Sequence, residues 1–230
     1  MCYNISVKAT IPENLLPAFE RYYELLTEWN AKINLTSVTE RDGVYLKHFA
    51  DSLSGADLFP KNAEVCDVGS GAGFPGIPLK LARPDLNVTL IDSLNKRVNF
   101  LNAVIAALNL KGIRAEHIRA EDAAAKYRES FDCAAARAVA ALNTLCEYAL
   151  PLVKIGGRLI AYKSADCLDE IAGAERAVKK LGGRLLPVEP FIIESGDGET
   201  LSRALIVIEK VSKTPKEYPR GGNKATTDPL

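Results

Sequence analysis

Val65-Cys66-Asp67-Val68-Gly69-Ser70-Gly71-Ala72-Gly73-Phe74-Pro75-Gly76 decides how the rest of the chain is read. A short apolar strand carries an acidic residue, enters a glycine-rich turn and gives way to an apolar helical run. Glycine permits positive φ and lets a bound group approach the backbone closely. The helix that follows offers unpaired N–H groups at its start. A strand entering such a turn predicts a nucleotide-cofactor site within a βαβ unit.

Gly71, Gly73 and Gly76 alone fit the G-x-G-x-x-G spacing of NAD-binding folds, which is a weak signal. Asp67 pulls the other way. A carboxylate so close to the turn would repel a pyrophosphate and suits a cofactor with an ammonium or sulfonium group. Asp67, Gly69, Gly71 and Gly73 form an Asp-x-Gly-x-Gly-x-Gly array, which resembles the first motif of S-adenosyl-L-methionine (SAM) methyltransferases. A second apolar run, Val88-Thr-Leu-Ile91, ends in Asp92, placed to bond ribose hydroxyls that both cofactors carry. The bland alternative is a tight βα turn with no ligand, because glycine marks turns generally.

The chain has 230 residues, enough for one large domain with a substantial core. Hydrophobic residues make up 47% and charged residues 25%, an ordinary globular composition. No apolar run approaches about 18 residues, so no membrane span is expected. The N-terminus lacks a basic-then-apolar signal pattern, and a cytoplasmic location is expected. Cys2, Cys66, Cys133, Cys146 and Cys167 are scattered, and His48 and His117 are the only histidines. That usage predicts free thiols and no metal site. The 29 basic and 29 acidic residues cancel. An RNA substrate would therefore need basic groups gathered on one face. Candidates are Lys96-Arg97, the Arg114/Arg119 pair, and Lys210, Lys213, Lys216, Arg220 and Lys224 near the end.

Residues 1–60 read as an N-terminal helical cap. Leu15, Phe19, Tyr22, Leu26, Trp29 and Ile33 form one apolar stripe at helical spacing, expected to pack against a sheet. Thr39 and Asp42 are candidate caps of a second helix running through Phe49. Residues 61–212 alternate strand and helix. Strands are expected at 63–68, 87–92, 113–118, 131–136, 158–163, 184–193 and 203–210, with helices near 76–82, 95–109, 140–153 and 166–181. The last two strands are joined by the loop 194–202 with no helix, which implies an antiparallel final pair. Residues 213–230 read as an extended or mobile tail.

The chain resembles the bacterial 16S ribosomal RNA guanine-N7 methyltransferases. The likeness rests on Glu28-Trp-Asn-Ala-Lys-Ile-Asn-Leu-Thr-Ser37, His48-Phe-Ala-Asp-Ser-Leu53, Asp67-Val-Gly-Ser-Gly-Ala-Gly-Phe-Pro-Gly-Ile-Pro78 and Leu90-Ile-Asp-Ser-Leu-Asn-Lys-Arg-Val-Asn-Phe-Leu101. Arg119-Ala-Glu121, Ala136-Arg-Ala-Val-Ala140 and Tyr218-Pro-Arg220 extend it. The resemblance implies a class I, Rossmann-like, α/β fold: a seven-stranded, mostly parallel sheet with helices on both faces and the N-terminal cap. It implies SAM contacts at Gly69, Phe74, Ala120, Glu121 and Arg137, beside Asp92. The chemistry agrees: Glu121 can accept from an exocyclic amine and Arg137 can pair with a carboxylate. The implied partner is 16S ribosomal RNA within the small subunit or an assembly intermediate, bound by a monomer. The family often has Arg where this chain has Lys47, Ser where it has Ala136, and a denser basic tail.

Guanine N7 carries a lone pair and no proton, so no general base is required and none is named. His48, Arg97 and Lys163 are the candidates for gripping RNA. The alternatives are methylation of another RNA base or a small molecule, a ribosome-assembly factor that keeps the fold without turnover, and an NAD-dependent dehydrogenase.

Overall fold

The computed structural model describes residues 6–7, 11–195 and 198–230. Cys2 and part of the 194–202 loop lie outside the described residues. The strands are β1 (Ser6–Val7), β2 (Glu64–Val68), β3 (Asn87–Asp92), β4 (Ile113–His117), β5 (Phe131–Arg137), β6 (Val153–Ser164), β7 (Gly183–Leu185), β8 (Phe191–Glu194) and β9 (Thr200–Lys210). They form one sheet in the order β1-β8-β9-β6-β5-β2-β3-β4, with β7 also on β9. From β4 to β6 all pairings are parallel. Strand β9 runs antiparallel to β6, β7 and β8, as the missing helix between the last strands requires. The chain leaves β2 toward β3 and β4, then returns to lay β5 on the other side of β2. That reversal opens a crevice at the carboxyl ends of β2 and β5, where ligands of open α/β sheets bind.

Alternation along the strands sorts side chains onto two faces. Val65, Cys133, Ala135, Ile160 and Tyr162 join a cluster with Phe100 and Leu101 of helix Asn95–Ala107 and with Phe19, Tyr22 and Leu26 of helix Leu16–Ile33. Cys66, Val68, Ala134, Ala136, Leu159 and Ala161 join the other, with helices Leu142–Ala149 and Leu168–Lys180. The predicted N-terminal stripe thus covers the sheet, but unevenly. Phe19, Tyr22 and Leu26 are buried, whereas Leu15, Trp29 and Ile33 are half-buried at its ends. Tyr22 Oη donates to the Ala72 carbonyl (2.5 Å), so the helix is bolted to the glycine turn. A Cβ built on Gly73 would sit 2.5 Å from that hydroxyl, which explains the glycine.

Several expectations are corrected. The strand expected at 184–193 is two strands, β7 and β8, because Pro187 and Pro190 lie between them and lack ladder N–H groups. The helix expected over 140–153 covers Leu142–Ala149, followed by a tight 3₁₀ turn at Leu150–Leu152, and β6 starts at Val153. A helix at Ala120–Tyr127 went unforeseen. The second N-terminal helix is capped by Glu40 without a side-chain bond, so neither Thr39 nor Asp42 caps it. It runs Arg41–Val44, widens into a π-helical turn at Tyr45–Ala50 and closes at Asp51–Leu53. The tail expected to be extended is docked: Thr214, Tyr218 and Ala225 are buried, and Lys224–Thr227 is helical. No helix among the described residues is long and apolar enough to cross a membrane.

Candidate functional site

Two clefts open along the carboxyl edge of the sheet. The first, about 260 Å³, is lined by Gly69 after β2, Asp92 at the end of β3, Arg97, the segment 118–121 after β4, Ala138 and Val139 after β5, and Tyr148. The second, about 390 Å³, is lined by Lys47, His48 and Asp51 of the N-terminal helical segment, Arg137 and Ala138, residues 162–164 of β6, and Arg203 of β9. Ala138 belongs to both. Its φ of +55° is the left-handed region that an alanine rarely adopts, a kind of strain that clusters at functional sites.

The two acidic residues of the sequence argument take different positions. Asp67 is wholly buried beneath the turn, not on the wall of either cleft. Its Oδ2 accepts the Gly76 N–H (2.9 Å), and burial pushes its carboxyl up to about 7. Asp67 therefore braces the turn from below. Asp92 does line the first cleft, and it also holds the turn: Oδ2 accepts the Gly71 N–H (2.9 Å) and Oδ1 the Leu94 N–H (2.8 Å). Arg97 Nη1 lies 3.5 Å from Asp92 Oδ2. The buried Nε of Arg97 has no partner among the described residues. A buried guanidinium N–H without an acceptor is costly, so the wall is complementary to a ligand that brings one. Arg97, expected to grip RNA, thus stands in the first cleft beside Asp92. Opposite it, Ala120 opens helix Ala120–Tyr127, and Glu121 is held by Arg119 (2.7 Å to Nε).

The second cleft is built around Asp51, a buried carboxylate that sequence reasoning passed over. Its Oδ2 accepts from Arg137 Nη1 (2.9 Å) and its Oδ1 from Arg203 Nε (2.8 Å). Arg137 Nη1 also donates to the Lys47 carbonyl (3.0 Å), and Nη2 bonds His48 Nδ1 (3.2 Å). Among the described residues the Nε–H of Arg137 has no partner, leaving one edge of the guanidinium fork for a ligand. Phe74 lines neither cleft. Its ring packs on His48 (4.6 Å between centroids) and carries the Arg137 guanidinium (4.8 Å), so it supports the second cleft from behind. Lys163 donates to Glu170 (2.5 Å) and to the Ala140 carbonyl (2.9 Å). Lys47 extends from the rim with no side-chain bond among the described residues. Lys47, Arg137, Lys163 and Arg203 outnumber Asp51, and the lining is positive within a neutral chain.

Burial, with Arg137 close by, lowers the His48 pKa to about 4. Nδ1 has both Arg137 Nη2 (3.2 Å) and the Lys47 carbonyl (3.0 Å) as neighbours, and Nε2 lies 2.7 Å from Thr36 Oγ1. The ring is neutral at physiological pH. As pH falls below the unfolded value near 6.5, the unfolded chain takes up a proton that the folded chain refuses. Stability should therefore drop between pH 6.5 and 4, by on the order of 3 kcal/mol from this residue. Denaturant unfolding of the wild type and of His48→Gln across that range checks it. The variant should show the shallower fall, and parallel curves would contradict a neutral His48.

None of the thiols among the described residues is poised as a nucleophile. Cys66, Cys133, Cys146 and Cys167 are buried and unpaired, and burial pushes Cys133 and Cys146 up to about 12. No cluster among the described residues could hold a metal ion.

Comparison with known proteins places this geometry. The model of the family described as rRNA small subunit methyltransferase G matches residues 15–195. The ribosomal RNA small subunit methyltransferase G of an Exiguobacterium species is 48% identical over 96% of this chain and 93% of its own length. That of Lachnoclostridium phytofermentans is 50% identical over 98% and 93%. Among solved structures, M. jannaschii TYW2 in complex with AdoMet superimposes with a TM-score of 0.59 at 16% identity, over 79% of this chain and 80% of that one. The precorrin-6y C5,15-methyltransferase of Geobacter metallireducens gives 0.53 at 13% identity, over 78% and 92%. At such identities these two likenesses concern the fold alone.

Proposed function

The chain belongs to the rRNA small subunit methyltransferase G family of SAM-dependent enzymes, and we propose that it methylates N7 of a guanine in 16S ribosomal RNA. The observation that carries this reading is the pair of clefts meeting at Ala138, one built around Asp92 and an unpartnered arginine donor, the other lined by cations.

We assign the first cleft to the adenosine part of SAM. Asp92 faces the ribose and Arg97 Nε–H supplies a donor, so Arg97 moves from the RNA side to the cofactor side. Ala120 and Glu121 read the adenine edge, and Gly69 lets the backbone come close. The open edge of Arg137 suits the methionine carboxylate, with Phe74 supporting that guanidinium. When bound, SAM supplies an electrophilic methyl group.

The second cleft takes the RNA. N7 presents a lone pair and no proton, so the enzyme has no proton to remove. The lining fits that demand. His48 is neutral and already engaged, and the cations Lys47, Lys163 and Arg203 hold phosphate. Positioning supplies the acceleration, which reaches about 7–11 kcal/mol in favourable cases. Both clefts are complete within one chain, so a monomer suffices, acting on RNA in the small subunit or an assembly intermediate. The N-terminal helices, from Leu16 to Leu53, act as a cap that contributes Lys47, His48 and Asp51 to the site.

Mass mapping of 16S ribosomal RNA from a strain lacking the chain tests the reading. A guanine should lose its N7 methyl group and regain it on complementation. A methyl group missing from any other atom would overturn the assignment. Salt dependence tests the RNA face: affinity for single-stranded RNA falls with salt by a log–log slope of about −0.7 per phosphate contact. Lys47→Ala and Lys163→Ala should each flatten the slope by about that amount and leave S-adenosylhomocysteine affinity unchanged. An unchanged slope in both would move the RNA elsewhere.

A further inference from the structure

We infer that residues 223–230, the end of the chain, are a positioning strap for the adenosine end of the first cleft. This rests on the reading of that cleft as the cofactor site. The segment is anchored on helix Leu142–Ala149. Just ahead of it, Arg220 grips the wholly buried Glu147 through Nη2 to Oε2 (2.8 Å), Nε to Oε1 (3.0 Å) and its own backbone N–H to Oε1 (2.8 Å). Ala225 is fully buried, and its carbonyl accepts from Thr144 Oγ1 (2.9 Å).

From this anchor two side chains reach the cleft wall. Asn223 Oδ1 accepts from Arg119 Nη2 (3.2 Å), and Thr226 Oγ1 bonds the Tyr148 hydroxyl (3.1 Å). Arg119 and Tyr148 both line the first cleft. Arg119 is also the residue that holds the Glu121 carboxylate. Its side chain is more than half exposed, so without a second partner the long arm would carry much rotamer freedom. Asn223 engages the same Nη2 that, together with Nε, faces the Glu121 carboxylate, and so fixes the guanidinium against it. The carboxylate that reads the adenine amine is thereby held through a contact spanning 104 residues of sequence.

The test is calorimetric titration of the full-length chain with S-adenosylhomocysteine, beside Asn223→Ala, Thr226→Val, Asn223→Asp, Gly69→Val and a chain ending at Gly222, which keeps the Arg220 anchor. Asn223→Ala and Thr226→Val should each weaken binding by about two- to tenfold, the range of a single net hydrogen bond. The truncation should weaken it by at least as much. Asn223→Asp keeps the acceptor and should restore wild-type affinity. In turnover, KM for SAM should rise while kcat and KM for RNA hold. Wild-type affinity in Asn223→Ala, Thr226→Val and the truncated chain, with binding abolished in Gly69→Val, would overturn the strap and leave the cofactor cleft standing. Full binding in Gly69→Val would overturn the cleft assignment, and the strap with it. A loss in kcat at unchanged KM for SAM would also overturn it.

Discussion

A Gly69→Val chain should bind S-adenosylhomocysteine about a hundredfold more weakly than the wild type or not at all. Two costs fall on the same residue. Gly69 has φ +67°, a region in which a Cβ is penalised and a β-branched side chain most of all. A Cβ built there would also lie 2.8 Å from Val139 Cγ2. Val139 is itself part of the wall, so relief of the clash displaces the surface that a ligand meets. Gly71 is the natural control. Its φ is +57°, yet a Cβ there meets only the Gly69 carbonyl at 3.9 Å. Gly71→Asn, with a residue that tolerates this backbone region, should bind within a few-fold of the wild type. Calorimetry on the three chains decides it. Comparable losses at both positions would show that conformation alone, and not the contact with Val139, sets the cost.

Asp51→Ala should lower stability by about 3–5 kcal/mol, the cost of stripping the partner from buried charges. For a chain of this size that is a fall in melting temperature of roughly 6–20 °C. Asp51 is 1% exposed and joins three parts of the molecule: its own helical segment, β5 through Arg137 and β9 through Arg203. Removing it leaves two guanidinium groups facing each other without a counter-charge. Asp51→Asn, which keeps one acceptor, should lose less. Thermal unfolding followed by circular dichroism measures both, and an unchanged midpoint in Asp51→Ala would show that solvent satisfies the arginines.

The sheet was legible because its signals are local. The glycine turn, the apolar runs ending at Val68 and Ile91, and the helix-free loop before β9 each lie within a dozen residues. Helix Ala120–Tyr127 escaped because its inner positions are alanines, Ala123 and Ala124, which make no apolar stripe to read. The break between β7 and β8 had a signal in Pro187 and Pro190. Arg97 had one too: it lies in the first turn of the helix that follows Asp92, and that proximity could have placed both in one cleft. The pairings of Asp51 with its arginines, of Arg220 with Glu147 and of Asn223 with Arg119 had none. Those partners are 73 to 152 residues apart, and each pairing exists only once the chain has closed. Arg137 shows both sides: its motif pointed to ligand binding, while its bonds to Lys47, His48 and Asp51 emerge only in three dimensions.

Ala138 is a single residue forming part of the boundary of two clefts, held in a backbone conformation that leaves its peptide planes little freedom. An adjustment of that residue on one side would shift the surface presented on the other and so link the two clefts energetically. Linkage of this kind is reciprocal. Whatever factor the occupied first cleft applies to the affinity for RNA, bound RNA applies the same factor to the affinity for the cofactor.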